Sequence, residues 1–233
     1  MKASLGYIKA LALICLVVFL FGFAEKRHKT RAINKVLVKF TDTENLYVTE
    51  EVVNKLLIQN KASTTSIDKE TLDLNSVESL LNNHDMIENA EVYLNLNGTL
   101  EARVSQRKPI GRVIGNTSFY LDKQGEVMPL SAFYSARVPL LFGFTESNVK
   151  EVFPVIDYLK DDEFLNRHIT AITRLKNGSF VLEIRKQDFK VNFGDSSNVG
   201  LKFNNFKAFY KKVQKEDKLN TYRKVDLQFG NQV

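Results

Sequence analysis

One segment limits this chain more than any other, an unbroken apolar run near its start. From Ala10 to Ala24 the residues ALALICLVVFLFGFA carry no charge, and their only polar side chain is the thiol of Cys15. As a helix those fifteen residues extend ~22 Å, and counting back to Leu5 gives twenty residues and ~30 Å, the thickness of a bilayer's hydrocarbon core. Lys9 then lies about one turn inside the span, where its stem can be buried while the ammonium reaches the headgroups. A cleaved signal peptide is the competing reading: Lys2 and Lys9 form its basic start, and Gly22-Phe23-Ala24 a small-x-small cleavage site. Both readings export the rest of the chain. Lys26, Arg27, Lys29 and Arg31 follow the run and pull the other way by the positive-inside rule, although large domains translocate despite such charge. The organisation expected is a cytoplasmic tail at 1–4, a transmembrane anchor at 5–24 and a basic juxtamembrane linker at 25–32.

Composition removes several function classes. Hydrophobic residues are 44% and charged residues 26% of the chain, as in a chain with a packed core. A single cysteine excludes an internal disulfide framework and a cysteine-held metal or cluster. The histidines, His28, His84 and His168, are scattered and offer little for a metal cage. No second segment approaches spanning length, which excludes a multi-span transporter. Beyond Ala24 the balance is 31 basic against 27 acidic residues, a net +4, spread out apart from the cluster at 26–31 and a lysine-rich helix near the C-terminus.

The exported part reads first as strand, helix, helix, strand, strand. Residues 33–40 alternate and are rich in β-formers. Thr49 caps a helix over about 50–60, with Glu50 and Glu51 in its first turn, where the helix dipole favours carboxylates. Lys61–Ser66 is a polar loop, and Asn75 caps a second short helix with Glu78 three residues on. A hairpin follows whose register is fixed by its apolar faces. A three-residue Leu96-Asn97-Gly98 loop sets Leu94 opposite Leu100, Val92 opposite Ala102 and Glu91 opposite Arg103, whereas a two-residue turn would set apolar against charged residues throughout. Pro109, which cannot continue a central strand, closes this unit at 33–109.

Residues 110–233 read as a second, mostly antiparallel β domain with flanking helices. Strands are expected at 117–121 and 126–128, and a short strand, possibly at a sheet edge, at Val138–Leu141. A helix is expected at 148–160 with Pro154 near its start. A hairpin around Asn177-Gly178 is read with a two-residue turn that pairs Leu175 with Phe180, Thr173 with Leu182 and Ala171 with Ile184. A strand through Phe189, Val191 and Phe193, a helix over 199–214, and a last strand Tyr222–Phe229 with Val225, Leu227 and Phe229 inward complete it. The fold class is α+β: one N-terminal transmembrane helix, a β-α-α-β-β unit and the β domain.

No chemistry-bearing motif stands out. Phosphate loops, Gly-x-Ser-x-Gly, His-Glu-x-x-His and Cys-x-x-Cys are all missing from the sequence. His84-Asp85 lies at a helix end with no nucleophile indicated, and Asp161-Asp162-Glu163 reads as the start of a helical turn. The lysine face at 207, 211 and 215 reads as solvated, with aromatic residues on the buried face, so no nucleic-acid partner is indicated. No enzyme activity, cofactor, metal or small-molecule substrate is expected.

Several segments, in order, carry a resemblance. They are Ile87–Val92, Gly98–Val104 and the run Gln106-Arg107-Lys108-Pro109-Ile110-Gly111-Arg112, then Tyr120–Val127 with its Asp122…Gly125 turn, Val138–Gly143, and Val225–Val233. Together these resemble the bacterial cell-division family FtsQ, also called DivIB, in the version typical of Bacteroidetes, with 33–109 similar to its POTRA domain. The resemblance implies a non-enzymatic, single-pass inner-membrane scaffold at the division site, its C-terminal part in the periplasm. It implies FtsB- and FtsL-like partners and a part in regulating septal peptidoglycan synthesis. It places partner binding on the last strand, at Tyr222, Arg223, Lys224, Val225, Asp226, Leu227, Gln228 and Phe229. It also makes Arg107, Pro109 and Arg112 the domain-junction residues, with Arg107 and Arg112 orienting the two domains. Two other classes stay open: a POTRA-bearing assembly or secretion factor that captures client β-strands, and a secreted glycan hydrolase, for which no converging carboxylate pair is indicated.

Overall fold

The computed structural model describes residues 2–29, 33, 35–42, 47–59 and 73–229, so the expected loop at 61–66 and the end of the chain at 230–233 lie outside the described residues. The chain divides into two compact units, 1–106 and 107–233.

The first unit begins with helix α1, Lys2–Lys29. Leu11, Leu13, Phe19, Phe21 and other large apolar side chains of this helix are exposed. Among the described residues no helix is long and apolar enough to cross a membrane, so the spanning reading of 5–24 rests on the sequence.

Strand β1 (Lys35–Phe40), helices α2 (Glu50–Gln59) and α3 (Leu74–Asn82), and strands β2 (Ile87–Leu94) and β3 (Thr99–Gln106) follow in the expected succession. The sheet order is β1-β3-β2, with β1 parallel and β2 antiparallel to β3. The hairpin register is the one set by its apolar faces: Leu94 lies opposite Leu100, Val92 opposite Ala102 and Glu91 opposite Arg103. Asn95 N–H donates to Thr99 O at 2.9 Å, and Gly98 closes the loop at φ 83°. Val53, Leu57, Val77, Leu81, Ala90, Leu100 and Val104 are buried. Thr49 caps α2, its hydroxyl accepting from Val52 N–H. Asn75 is not the cap of α3. Asp73 holds that place, accepting from the N–H groups of Asn75 and Ser76, because the helix starts at Leu74, which puts Asn75 inside the first turn and Asp73 at the flanking position where a side-chain oxygen reaches the free N–H groups.

The second unit is an eight-stranded mixed sheet, assembled from β4 (Pro109–Ile114), β5 (Phe119–Asp122), β6 (Val127–Met128), β7 (Leu140–Phe142), β8 (Ile169–Arg174), β9 (Phe180–Ile184), β10 (Lys190–Gly194) and β11 (Lys224–Asp226). Its order is β11-β10-β9-β8-β7-β4-β5-β6. Helices α4 (Phe153–Asp161), α5 (Glu163–His168) and α6 (Val199–Lys215) share one core with it, in which Ile156, Leu165, Phe203, Phe206 and Tyr210 meet Leu141, Leu182, Val191 and Phe193.

In this unit several expectations need correction. Pro109 opens a strand instead of only ending a unit: as the first residue of β4 it has no ladder donor to lose. β4 itself was not expected, because Gly111 and Arg112 interrupt its alternation. The short strand near 138–141 is not at an edge, since β7 lies between β4 and β8 and is parallel to both. The second hairpin is shifted by one residue from its expected register: Arg174 pairs with Phe180, Thr173 with Val181 and Ile172 with Leu182. Finally, the last strand is shorter than 222–229, and Phe229 is 64% exposed instead of inward.

Candidate functional site

Strand β11 ends the larger sheet. It lies parallel to β10, with Lys190 opposite Lys224, Val191 opposite Val225 and Asn192 opposite Asp226. The side chains of Val225 and Leu227 are 3% and 2% exposed and belong to the core, which is what holds so short a strand in place. Lys190 N–H donates to Arg223 O at 3.2 Å, and Leu227 N–H donates to Asn192 O at 2.8 Å. In a parallel ladder the bonded groups alternate along each strand. The N–H and C=O of Lys224 and Asp226 therefore point away from β10, out of the sheet. Among the described residues no further strand lies beyond them.

Of the residues expected to bind a partner, Tyr222, Arg223, Lys224, Gln228 and Phe229 are exposed, Asp226 is half-buried, and Val225 and Leu227 are buried. Tyr222 rests edge-on against Phe209, ring centroids 5.0 Å apart. The Asp226 carboxylate accepts from Asn192 Nδ2 at 3.3 Å and from Gln228 N–H at 3.1 Å, and Lys224 Nζ stands 3.6 Å away. By taking up Gln228 N–H, Asp226 ends the bare edge and leaves 224–226 as its length.

Two cavities border this strand. One, about 430 Å³, opens on the sheet face away from the helices; Thr173, Leu175 and Val181 contribute its floor and Lys190, Arg223 and Lys224 its cations. Lys190 is only loosely paired, with Glu183 at 3.3 Å. The other, about 440 Å³, lies at the end of β11 among Asn198, Leu201, Lys202, Leu227 and Gln228. There Lys202 is buried over the ring of Phe193 and donates to the carbonyl and carboxylate of Asp195, each at 2.9 Å. The Ser197 hydroxyl, and after it Lys202, holds the Asp195 carboxyl well below the usual carboxylate range. Lys190, Asn192, Leu175 and Val181 were not singled out from the sequence. Their only signal is the period-two alternation of β8, β9 and β10, which places them on the same face as Lys224 once the strand order is known.

Arg107, Pro109 and Arg112 find their partners inside the second unit. Arg107 lies 3.6 Å from the buried Asp122 carboxylate and donates to Val127 O at 3.3 Å. Asp122 also accepts from the N–H groups of Gln124 and Glu126, at 2.9 and 2.8 Å, which is the physical content of the Asp-x-x-Gly turn. Arg112 lies over the ring of Tyr120 and donates to Ser135, and Tyr120 in turn accepts from Ala136 N–H. These contacts tie the 131–137 loop to the sheet. His84 Nδ1 accepts from Met86 N–H within a turn, and Asp162 caps α5 and pairs with Lys207 at 2.7 Å. Among the described residues no cluster of three or more His, Cys, Asp or Glu is arranged to hold a metal ion.

The described chain is thus a β-α-α-β-β unit followed by a mixed sheet that ends on a bare strand. The chain belongs to the FtsQ/DivIB family of cell-division proteins: the family profile described as FtsQ/DivIB, C-terminal related, matches residues 108–233, just over half of the chain. A POTRA-like domain profile matches residues 31–105. No curated protein matches the chain significantly.

Proposed function

We propose that this chain is a single-pass membrane scaffold of the bacterial division machinery. In this reading residues 5–24 anchor it in the inner membrane, with both units on the periplasmic side at the division site. Strand β11 takes an extended segment of FtsB- or FtsL-like partners as an added strand, and through them the chain helps regulate septal peptidoglycan synthesis. The observation that carries the docking step is the outward-facing backbone at Lys224 and Asp226, two donor–acceptor rungs at the open end of a sheet. A strand laid there exchanges main-chain hydrogen bonds with β11 and sends alternate side chains into the groove beside Lys190, Arg223 and Lys224. The anchor rests on the apolar run of the sequence.

A scaffold of this kind needs no catalytic group. The rival class, an assembly factor that captures client strands on its POTRA unit, is disfavoured by β2, whose outward N–H groups at Ala90 and Val92 and outward carbonyl at Ala90 are already bonded to α3 side chains.

The test is a fluorophore fusion that works outside the cytoplasm, imaged in dividing cells, for the wild type and for Lys224→Pro. Proline at an outward-facing position of an edge strand is tolerated by the fold but removes one docking donor. The wild type gathers in a band at the division site and retains its FtsB- and FtsL-like partners on purification, whereas Lys224→Pro loses the partners. Uniform envelope fluorescence in constricting wild-type cells overturns the scaffold reading, and full partner retention by Lys224→Pro overturns the β11 docking edge.

A further inference from the structure

Strand β2 ends the three-stranded sheet just as β11 ends the larger one. In its antiparallel ladder with β3, Glu91 and Tyr93 face inward to Arg103 and Glu101, so the backbone groups of Ala90 and Val92 point out of the sheet. An outward row of this kind is a template for another strand. Here three of those four groups are bonded by side chains of α3. Asn82, the last residue of α3, donates from Nδ2 to Ala90 O at 3.2 Å, and its Oδ1 accepts from Ala90 N–H at 2.7 Å. Pairing both groups of one residue, the amide copies a strand rung, and the donor–acceptor order of Ala90 fixes which end of the amide is which. One turn earlier on the same helix, Glu78 Oε2 accepts from Val92 N–H at 3.0 Å. Residues four apart lie on one face of a helix, and residues two apart in a strand point to one side of it. The two periods therefore bring Glu78 to Val92 and Asn82 to Ala90.

We propose that Glu78 and Asn82 act together as a surrogate strand that closes the β2 edge, and that they are the residues deciding that this edge takes no strand, a second copy of β2 included. Without them the edge would present an alternating segment whose apolar face, Ala90, Val92 and Leu94, continues into the unit's core. That combination favours pairing with like strands. The proposal stands on the first unit alone and is independent of what β11 binds.

The test uses the full chain in detergent micelles. Residue-resolved amide hydrogen exchange reads each plug separately. Asn82→Ala lowers protection of the Ala90 amide by about tenfold or more while leaving Val92 protected, and Glu78→Ala does the reverse. Glu78→Gln, which keeps an acceptor, retains protection at Val92. A fluorescent peptide copying residues 87–94 then reads the function of the plugs. The wild type does not take up the peptide, and Glu78→Ala/Asn82→Ala binds it at least about tenfold more tightly. Retained protection of the β3 amides shows that the double variant is folded. Unchanged exchange at 90 and 92 in the single variants, equal peptide binding by the wild type, or no gain of binding in a folded double variant overturns the proposal.

Discussion

Strands β2 and β11 each end a sheet, yet their outward backbones meet opposite fates. At β2, two side chains from one helix bond the outward N–H groups of residues 90 and 92 and the carbonyl of residue 90. At β11, the neighbouring helix α6 is committed to the core through Phe203, Phe206 and Tyr210, and among the described residues no strand meets the outward groups of 224 and 226. The far edge of the larger sheet sides with β2: at β6 the Arg107 guanidinium occupies the carbonyl of Val127. An unpaired edge invites association, and here the protection is placed selectively. The difference teaches that a sheet edge is a functional surface only where the chain has left its rungs empty, and that this is decided by single polar side chains of the neighbouring elements.

The largest effect that tests this contrast comes from moving one proline along β11. Leu227 N–H faces inward, donating to Asn192 O, and its side chain is in the core. Leu227→Pro removes the bond and the packing together and lowers the stability of the second unit by about 3–5 kcal/mol. Lys224→Pro, three residues earlier and facing out, changes stability by no more than ~1 kcal/mol and acts on partner binding alone. Denaturant unfolding of the full chain, followed by hydrogen exchange in β10, separates the two. Equal destabilisation by both prolines would show that the inward and outward assignments on β11 are wrong.

Next in size is the plug on β6. Arg107→Ala leaves the buried Asp122 carboxylate without its cation and Val127 O without its donor. The expected cost is about 2 kcal/mol, below that of a fully buried pair because the arginine is 27% exposed. Arg107→Lys restores only part of this, since an ammonium is a point charge without the planar fork that reaches both acceptors. A loss below ~0.5 kcal/mol in denaturant titration would remove Arg107 from the list of edge-closing residues.

The same contrast shows how far the sequence could be read. The chain has two Asn-Gly hairpins built alike: Asn97 Oδ1 accepts from Thr99 N–H and Asn177 Oδ1 from Ser179 N–H, each at 3.1 Å, with Gly98 and Gly178 at φ 83° and 85°. Only the first could be registered from sequence. There one face is apolar and the other charged, so a one-residue slip is visible as apolar beside charged. In β9 four of the five residues are apolar and buried, Phe180, Val181 and Leu182 in succession, and either register looks equally good. The alternation of the last strand was legible at Val225 and Leu227, which face the core, but not at Phe229, which faces solvent because the strand ends at Asp226. Glu78 and Asn82 were beyond reach, since a glutamate and an asparagine on a short helix carry no mark of the strand they cap until the α3–β2 packing is known. Glu78 in particular reads as half of a capping box, and the structure gives that carboxylate to Val92.

The smallest expected effect concerns the open face of the small sheet, where a charged network replaces a covering layer. Glu101 is 5% exposed although it lies on the side away from the helices. Lys39 Nζ stands 2.7 Å from its carboxylate, and Asn95 Nδ2 donates to it at 3.3 Å. The hydrogen bond from Lys39, followed by that from Tyr93, holds its pKa at about 2, below the ordinary glutamate value of 4.5. A carboxyl whose pKa is lower in the folded than in the unfolded chain binds protons more readily when unfolded. Its contribution is therefore complete above about 4.5, declines as the pH falls, and is gone once the pH passes about 2. Because Lys39 is 52% exposed, solvent screens the pair and the gain is modest. Glu101→Gln flattens the acid limb of stability for the first unit between those two values while leaving the second unit's limb unchanged, as read by hydrogen exchange of β3 and β9 amides across the titration. The variant also separates edge closure from face charge, because Asn82 and Glu78 bond β2 in the plane of the sheet whereas Glu101 acts above it. Protection of the Ala90 and Val92 amides in Glu101→Gln at neutral pH thus stays at the wild-type level, and a fall there would mean that the plugs depend on the charged face for their position.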